Sequence, residues 1–237
     1  ISIALLEAAN EVGAKPFIIT INPVPSGGDL PEIVDVALKE ADLILTPTSQ
    51  SLYHSRGIRE AHGEPYMARV IALSEITEDS LMNGGMTANF KALKPMVEKL
   101  GEIYTKGDSI RYITPGGTDL RASIAGREGY WISGVADKPG MLLALPTTEV
   151  YIAPVEDTVE GTIVVDASCS GGIGLVDEPV IMKVKKGKIT EISGKTAASE
   201  LKNKLESIND EKAFQIAEFG LGLNPECRVI GTTEDEG

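Results

Sequence analysis

Short apolar runs alternate with helical segments early in the chain, and this alternation constrains the fold more than any other feature. The runs cover residues 17–21, 42–46 and 68–73, and each has the length and residue types of a buried strand. Apolar residues at helical spacing lie between the runs, over 33–41 and 50–61. Strands that alternate with helices favour a parallel sheet with crossover helices. The sequence therefore predicts an α/β fold that begins with a parallel sheet.

The pattern becomes β-rich beyond residue 108. Two runs alternate as strands, one segment has the pattern of a β-hairpin, and one has the apolar spacing of an amphipathic helix. These segments are the strands 109–114 and 162–167, the hairpin 179–194 and the helix 197–208. We therefore expect a Rossmann-like α/β domain over 1–107, followed by a β-rich α+β domain over 108–237.

Charge and composition exclude several classes of protein. The 237 residues carry a net charge of −13, and Lys and Arg do not cluster among aromatics, so nucleic acid is not an expected partner. No apolar run is long enough to cross a bilayer, and no signal peptide opens the chain. Two cysteines do not make a disulfide framework, and a reducing cytoplasm is the expected location. Two histidines, His54 and His62, are too few for a multi-histidine metal site.

The segment 145–154 is the first candidate site, and Glu149 stands at its centre. Pro146 and Pro154 fix the backbone at its two ends, and the residues between them favour a strand. A carboxylate where a loop enters a strand suits a metal ligand or a general base. A solvated glutamate at a strand end is the simpler interpretation of this segment alone.

A second glutamate, Glu218, lies in the apolar and glycine-punctuated segment 217–225. Glutamate is rarely buried without a partner, and one shared cation would offset the cost of desolvating two carboxylates. We therefore expect Glu149 and Glu218 to face the same cleft. Without a cation, the pKa of at least one should rise, or a basic side chain should compensate. Arg127 is the expected partner and is also a candidate substrate-binding residue.

Other motifs are weaker. Residues 46–49 follow a predicted parallel strand, where ligands of such sheets bind, and His54 comes soon after them as a candidate substrate-binding or proton-relay residue. The alternative for His54 is a helix cap or a surface ring. The segment 115–119 is most simply a turn, although Thr118 and Asp119 could face a ligand. The glycine-rich segment 170–174 lacks the Gly-Lys-Ser/Thr ending of a phosphate loop and is interpreted as a turn.

Four segments carry a resemblance to a known family. They read Thr-Pro-Gly-Gly-Thr-Asp-Leu at 114–120, Glu-Val-Tyr-Ile-Ala-Pro-Val-Glu at 149–156, Gly-Thr-Ile-Val-Val-Asp at 161–166 and Ala-Glu-Phe-Gly-Leu-Gly-Leu-Asn-Pro at 217–225. In order and spacing the chain resembles the aminopeptidase T family of metallopeptidases. That family includes leucyl aminopeptidases with a pair of metal ions and short relatives such as iron-dependent 2,5-dihydroxypyridine dioxygenases.

The resemblance implies that Glu149 and Glu218 match two metal-binding glutamates. It also implies further ligands in a Gly-Thr-x-His segment and a final His-x-Asp, which this sequence does not contain. We therefore expect the chain to be truncated at both ends and not to hold a metal tightly as it stands, since zinc sites normally need three or four ligands. A homodimer is implied weakly.

Three functions follow from these observations. The first is a metal-dependent aminopeptidase, with Zn, Co or Mn activating water to cleave a peptide substrate. The second is Fe(II)-dependent ring cleavage of a dihydroxypyridine, which the modest length favours, whereas the glutamate pair favours the peptidase. The third is a non-catalytic small-molecule binding protein. The sequence assigns no catalytic residue.

Overall fold

The computed structural model describes residues 1–232 and residue 234, and it has the mixed α/β architecture that the sequence predicts. In chain order the strands are β1 Leu43–Thr46, β2 Arg69–Ala72, β3 Ser109–Ile113, β4 Asp119–Ser123, β5 Gly129–Ile132, β6 Leu142–Ala144, β7 Glu149–Ile152, β8 Glu160–Val165, β9 Ser168–Cys169, β10 Gly174–Leu175, β11 Val180–Lys185, β12 Lys188–Ser193 and β13 Phe219–Gly222. The α-helices are α1 Ser2–Glu11, α2 Glu32–Lys39, α3 Arg56–His62, α4 Glu78–Met82, α5 Phe90–Lys106 and α6 Thr196–Ser207.

A three-stranded parallel sheet forms the first layer, with its strands in the order β1, β2, β6. In register, Thr46 lies beside Ala72, and Ala72 lies beside Ala144. The carboxyl ends of the three strands therefore meet at one edge of the sheet. Helices α2 and α3 pack against this sheet through a buried cluster that contains Val34, Ile58 and Val70.

Two antiparallel sheets form the β-rich part. One has five strands in the order β12, β11, β8, β4, β3, and the other has three in the order β13, β7, β5. Buried residues of the two sheets share one apolar core, in which Leu120 of the larger sheet joins Ile152 and Phe219 of the smaller one. The predicted hairpin is confirmed as β11 and β12, and the predicted helix after it is α6.

The predicted buried strand over 17–21 is wrong. Residues 14–25 form neither helix nor strand, and Phe17 is 65% exposed while Ile18 is 44% exposed. The apolar, β-branched composition favours a strand, but a strand needs a neighbour to complete its hydrogen-bond ladder. Within the described residues, β1 pairs with β2 alone and residues 17–21 do not pair with its open edge, so the run lacks the hydrogen-bonded neighbour that a strand needs.

The predicted helix over 50–61 begins later than expected. Residues 50–55 are bends and turns, and α3 starts only at Arg56. Backbone bonds hold this turn, since the Gly27 amide donates to the Ser51 carbonyl and the Ser55 amide to the Leu52 carbonyl. The segment around His54 is therefore a loop at the carboxyl end of the parallel sheet.

Strand pairing crosses the predicted domain boundary at 107/108. Strand β6 comes from residues beyond this boundary, yet it pairs with β2 of the parallel sheet. The division into domains stays a prediction, but the parallel sheet draws its third strand from the second half of the chain. Among the residues that the structure describes, no helix is both long and apolar enough to cross a membrane.

Candidate metal centre

The first glutamate of the site lies where the two halves of the fold join. Strand β6 ends at Ala144, and Glu149 opens β7 after a four-residue connection. Thr147 and Thr148 in that connection are buried, and Glu149 itself is half-buried. The structure therefore places Glu149 at the entrance to a strand, as the sequence predicts. It lies just beyond the carboxyl end of the parallel sheet, where ligands of such sheets bind.

The second glutamate approaches the first across an antiparallel strand pair. Glu218 immediately precedes β13, which pairs with β7 so that Gly222 faces Glu149 and Gly220 faces Tyr151. A Cβ built on Gly220 would lie 2.3 Å from Oε1 of Glu149 and 3.9 Å from Oε1 of Glu218. The distance between the two Oε1 atoms therefore cannot exceed the sum of these two distances. The structure therefore brings the two glutamate side chains near each other, as predicted, and their role as metal ligands in one cleft stays a prediction.

The pKa of Glu218 shifts in the direction that the sequence predicts, but the physical cause is different. Glu218 is exposed, yet the surrounding protein partly desolvates its carboxyl group and raises its pKa. The expected cause was repulsion between two carboxylates. A carboxylate with a raised pKa beside a second carboxylate is a site that a divalent cation would stabilise.

Three tyrosine side chains lie near enough to the two carboxylates for the glutamate charges to affect their pKa values. Burial raises the pKa of Tyr53, Tyr112 and Tyr151, and the charges of both glutamates raise the three pKa values further. These phenols are therefore protonated at neutral pH, as ordinary tyrosines are, and each carries an O–H group that can donate a hydrogen bond. The Tyr112 hydroxyl lies 2.9 Å from a fourth hydroxyl, that of Tyr104.

The sequence analysis missed these tyrosines. Tyr151 had a local signal, since it lies two residues after Glu149 and side chains at that spacing share one face of a strand. Its ring also stacks on Tyr130, with centroids 5.8 Å apart. Tyr53 and Tyr112 come from a loop and from another sheet, so no local pattern links them to Glu149.

A buried asparagine joins the segments that carry the two glutamates. The Asn224 Nδ2 donates to the Gly85 carbonyl and to the Pro146 carbonyl, each at 2.9 Å. Its Oδ1 accepts a bond from the Glu226 amide at 3.1 Å. Asn224 therefore ties the loop after β13 to the connection before Glu149.

A buried ion pair fastens the last described residues beside this loop. Oε1 of Glu234 accepts from the Gly85 amide at 3.0 Å and from Nε of Arg228 at 2.9 Å, while its Oε2 accepts from the Arg228 Nη2 at 3.0 Å. These charge-assisted bonds hold the pKa of Glu234 below its usual range. Arg228 also pairs with Asp79 of α4. The network holds Arg228 and Glu234 against the helical segments that follow β2.

The predicted compensation of the glutamates by Arg127 is wrong. Arg127 pairs instead with Glu156, because it follows β4 in a tight turn whose neighbour is the loop after β7. In this structure the partial burial of Glu218 is expressed as a raised pKa rather than as an ion pair with Arg127.

Thr118 and Asp119 are engaged within the five-stranded sheet. The Thr118 hydroxyl donates to the Val164 carbonyl at 3.2 Å and accepts from the Val164 amide at 3.0 Å. Asp119 forms a two-point ion pair with Arg111, with both bonds at 2.8 Å. These contacts give both residues structural roles, and their predicted contact with substrate stays a prediction.

His54 lies next to the site without joining the glutamates. Its ring meets that of Tyr53 edge-on, with centroids 5.0 Å apart, and the residue is exposed. It follows the loop at the carboxyl end of β1, where a cleft of about 600 Å³ is lined by Pro47, Thr48 and Ser49. Neither Glu149 nor Glu218 lines this cleft. A role for His54 in binding substrate stays a prediction.

The donor set can hold part of a metal site. Glu149 and Glu218 offer convergent carboxylate oxygens, which suit hard or intermediate divalent ions such as Mg²⁺, Mn²⁺ and Fe²⁺. Within 1–232 and 234, no three side chains of His, Cys, Asp or Glu gather at one point. The two glutamates therefore fit a divalent cation as two of its ligands.

The comparison with protein families assigns the chain. The sequence model of the NicX family, described as 2,5-dihydroxypyridine 5,6-dioxygenase, matches residues 3–234. The chain belongs to this 2,5-dihydroxypyridine 5,6-dioxygenase family. Membership of a dioxygenase family implies a metal cofactor, in agreement with the glutamate pair.

Individual relatives agree with the family. A 2,5-dihydroxypyridine 5,6-dioxygenase of Pseudomonas putida strain KT2440 is 30% identical over 125 residues, which are 51% of this chain and 35% of that protein. The match thus spans about a third of that relative. The structure of 2,5-dihydroxypyridine dioxygenase from the same strain is similar with a TM-score of 0.76 at 23% identity, over 99% of this chain and 71% of that one.

The expected aminopeptidase function, with its protease and hydrolase assignments, is wrong. AmpT from Thermus thermophilus is a structural relative, with a TM-score of 0.58 at 16% identity over 92% of this chain and 68% of that one. A similarity at this identity shows a shared fold alone. The family match is to the dioxygenases. The likeness to AmpT therefore concerns the fold and does not extend to the peptidase reaction.

Proposed function

We propose that the protein is a metal-dependent dioxygenase that opens the ring of a dihydroxylated pyridine. The observation that carries this proposal is the family match over residues 3–234, which includes both glutamates and all three tyrosines of the site. The convergence of Glu149 and Glu218 supports it, because a family of this chemistry needs a bound metal. The chain matches only about a third of its curated relative, so the activity and the substrate are proposals.

Fe(II) is the proposed metal, and Glu149 and Glu218 are its proposed ligands from this chain. When bound, Fe(II) supplies the one-electron chemistry that makes O₂ reactive towards a closed-shell ring. The two glutamates would hold the ion beside the β7–β13 strand pair.

The tyrosines are proposed to bind and orient the substrate. The phenols of Tyr53, Tyr112 and Tyr151, whose raised pKa values reflect burial near the two glutamates, would donate hydrogen bonds to the oxygen atoms of a hydroxylated ring. The stacked pair Tyr151 and Tyr130 presents flat aromatic surface beside the carboxylates, which suits a planar substrate. The predicted homodimer and cytoplasmic location stay predictions.

Oxygen uptake tests the proposal directly. The natural full-length protein is loaded anaerobically with Fe(II), Mn(II), Co(II) or Zn(II) in turn, and 2,5-dihydroxypyridine is added with O₂. We expect Fe(II)-dependent consumption of one O₂ per ring, with both atoms of ¹⁸O₂ recovered in the product.

Variants assign the activity to the site. Glu149→Gln and Glu218→Gln should each abolish uptake, whereas Glu156→Gln, which removes an exposed carboxylate outside the site, should retain it. Binding of the pyridine without uptake under any metal would favour the alternative of a non-catalytic binding protein and reject the proposed activity.

A further inference from the structure

Strand register alone would keep the two glutamates apart. The residue of β13 that faces Glu149 is Gly222, and Glu218 lies four residues earlier in the chain. Four residues of extended strand span about 13 Å. The carboxylates nevertheless converge, so their side chains must lean towards each other along the sheet surface.

The side chain of Glu149 lies over Gly220. Residues 218, 220 and 222 share one face of β13, while Phe219 on the other face is buried in the core. Oε1 of Glu149 would lie 2.3 Å from a Cβ on Gly220, so a side chain at position 220 would force this carboxylate to move. The carboxylate of Glu149 thus occupies the space that a side chain at position 220 would fill.

Backbone geometry does not require a glycine at position 220. Its φ lies outside the left-handed region, in contrast to Gly161 or Gly194, so an alanine would fit the strand. Among the described residues, leaving out its two chain neighbours, the three atoms nearest to its Cβ would all belong to Glu149 and Glu218. Within the described residues, the requirement for glycine therefore comes from the glutamates and not from the fold.

We propose that Gly220 is a positioning residue, whose missing side chain lets the Glu149 carboxylate reach Glu218 and share one divalent cation with it. The inference rests on the proposed function for the presence of a metal. It goes beyond that function by assigning the geometry of the metal site to a residue that touches neither metal nor substrate.

Mn²⁺ binding to Gly220→Ala tests the inference. In the natural full-length protein, electron paramagnetic resonance follows free Mn²⁺ during a titration with the metal alone, and thermal unfolding is recorded in parallel. We expect Mn²⁺ affinity to fall about 10- to 100-fold, as for other residues that orient a ligand. The Tm should stay within about 4 °C, because the methyl displaces only a flexible side chain.

Two control variants separate positioning from a structural effect. Leu221→Ala changes the adjacent residue on the other face of β13 and should leave Mn²⁺ affinity unchanged. In a Glu149→Ala background, Gly220→Ala should cause no further loss of affinity, because the carboxylate that it displaces is absent.

Several outcomes overturn the inference. They are equal Mn²⁺ affinity of Gly220→Ala and wild type, a large fall in Tm that accounts for the loss, and an absence of Mn²⁺ binding to the wild type. A wild-type protein that binds Mn²⁺ but takes up no O₂ with Fe(II) would instead reject the proposed dioxygenase activity and leave the role of Gly220 intact.

Discussion

Replacement of Asn224 by alanine is expected to destabilise the fold more than any exposed asparagine change. The substitution removes the Nδ2 group, which donates buried hydrogen bonds to the backbone carbonyls of Gly85 and Pro146. A buried polar group that loses its partner costs about 1–3 kcal/mol. Two such groups, at about 1.5 kcal/mol each, predict a loss of about 3 kcal/mol in the free energy of unfolding. For a chain of this size that is a fall of about 6–12 °C in Tm.

Chemical and thermal unfolding followed by circular dichroism measure this loss. Asn10→Ala is the matched control, because the Asn10 side chain makes an exposed hydrogen bond to the Leu6 carbonyl at 3.0 Å and its loss should change stability by less than about 0.5 kcal/mol. Equal, small effects of Asn224→Ala and Asn10→Ala would refute the reasoning that the two buried bonds hold the loop.

Asn224→Asp adds a test of the bond direction. An aspartate oxygen in place of Nδ2 would face two carbonyl oxygens, so at neutral pH this variant should be less stable than Asn224→Ala. Its folded-state pKa would be raised, because protonation creates a donor. The deficit relative to Asn224→Ala should therefore shrink as the pH falls through that pKa. A difference that does not change with pH would argue against this geometry.

Three further predictions concern other contacts. Because the pKa of Glu234 is lowered in the folded state, its ion pair stabilises the fold above the ordinary glutamate pKa, and this stabilisation is lost as the pH falls through the lowered value. The free energy of unfolding in urea should therefore depend less on acidic pH in Glu234→Gln than in the wild type. An equal dependence would reject the role of the pair with Arg228. Tyr112→Phe should leave the alkaline absorbance titration unchanged near pH 10, where an ordinary tyrosine ionises; a lost transition there would contradict its raised pKa. A Cβ on Gly101 would lie 2.1 Å from Cε3 of Trp131, so Gly101→Ala should shift the fluorescence of this single tryptophan and cost about 1–3 kcal/mol; unaltered emission would count against that packing.

Local pattern was sufficient for much of the fold. The strands β1 and β2 came from short apolar runs, and the hairpin of β11 and β12 came from alternation around a turn. The position of Glu149 at a strand entrance was also local, since prolines and β-branched residues bracket it. These features follow from the period of a strand and from backbone restrictions that neighbouring residues impose.

The same local evidence failed where a feature needs a partner that is distant in sequence. The run that contains Phe17 has strand composition but no ladder in the described residues, and the third strand of the parallel sheet came from beyond the predicted boundary. Arg127 was assigned to the glutamates because it lies in the same half of the chain, yet Glu156 is its neighbour in space. A hydrogen-bond ladder or an ion pair is a property of two segments, so one segment cannot predict it.

The sequence by itself identified the two glutamates and the need for them to converge, because a carboxylate among apolar residues requires a compensating partner. Only the tertiary structure decided how they meet. The register of β13 against β7 offsets Glu218 from Glu149, the bare surface of Gly220 lets one carboxylate lean across the strand, and Tyr53 and Tyr112 arrive from other parts of the fold. Register and the packing of one sheet on another are set by contacts distant in sequence, which is why the residue types indicated a metal site but not its geometry.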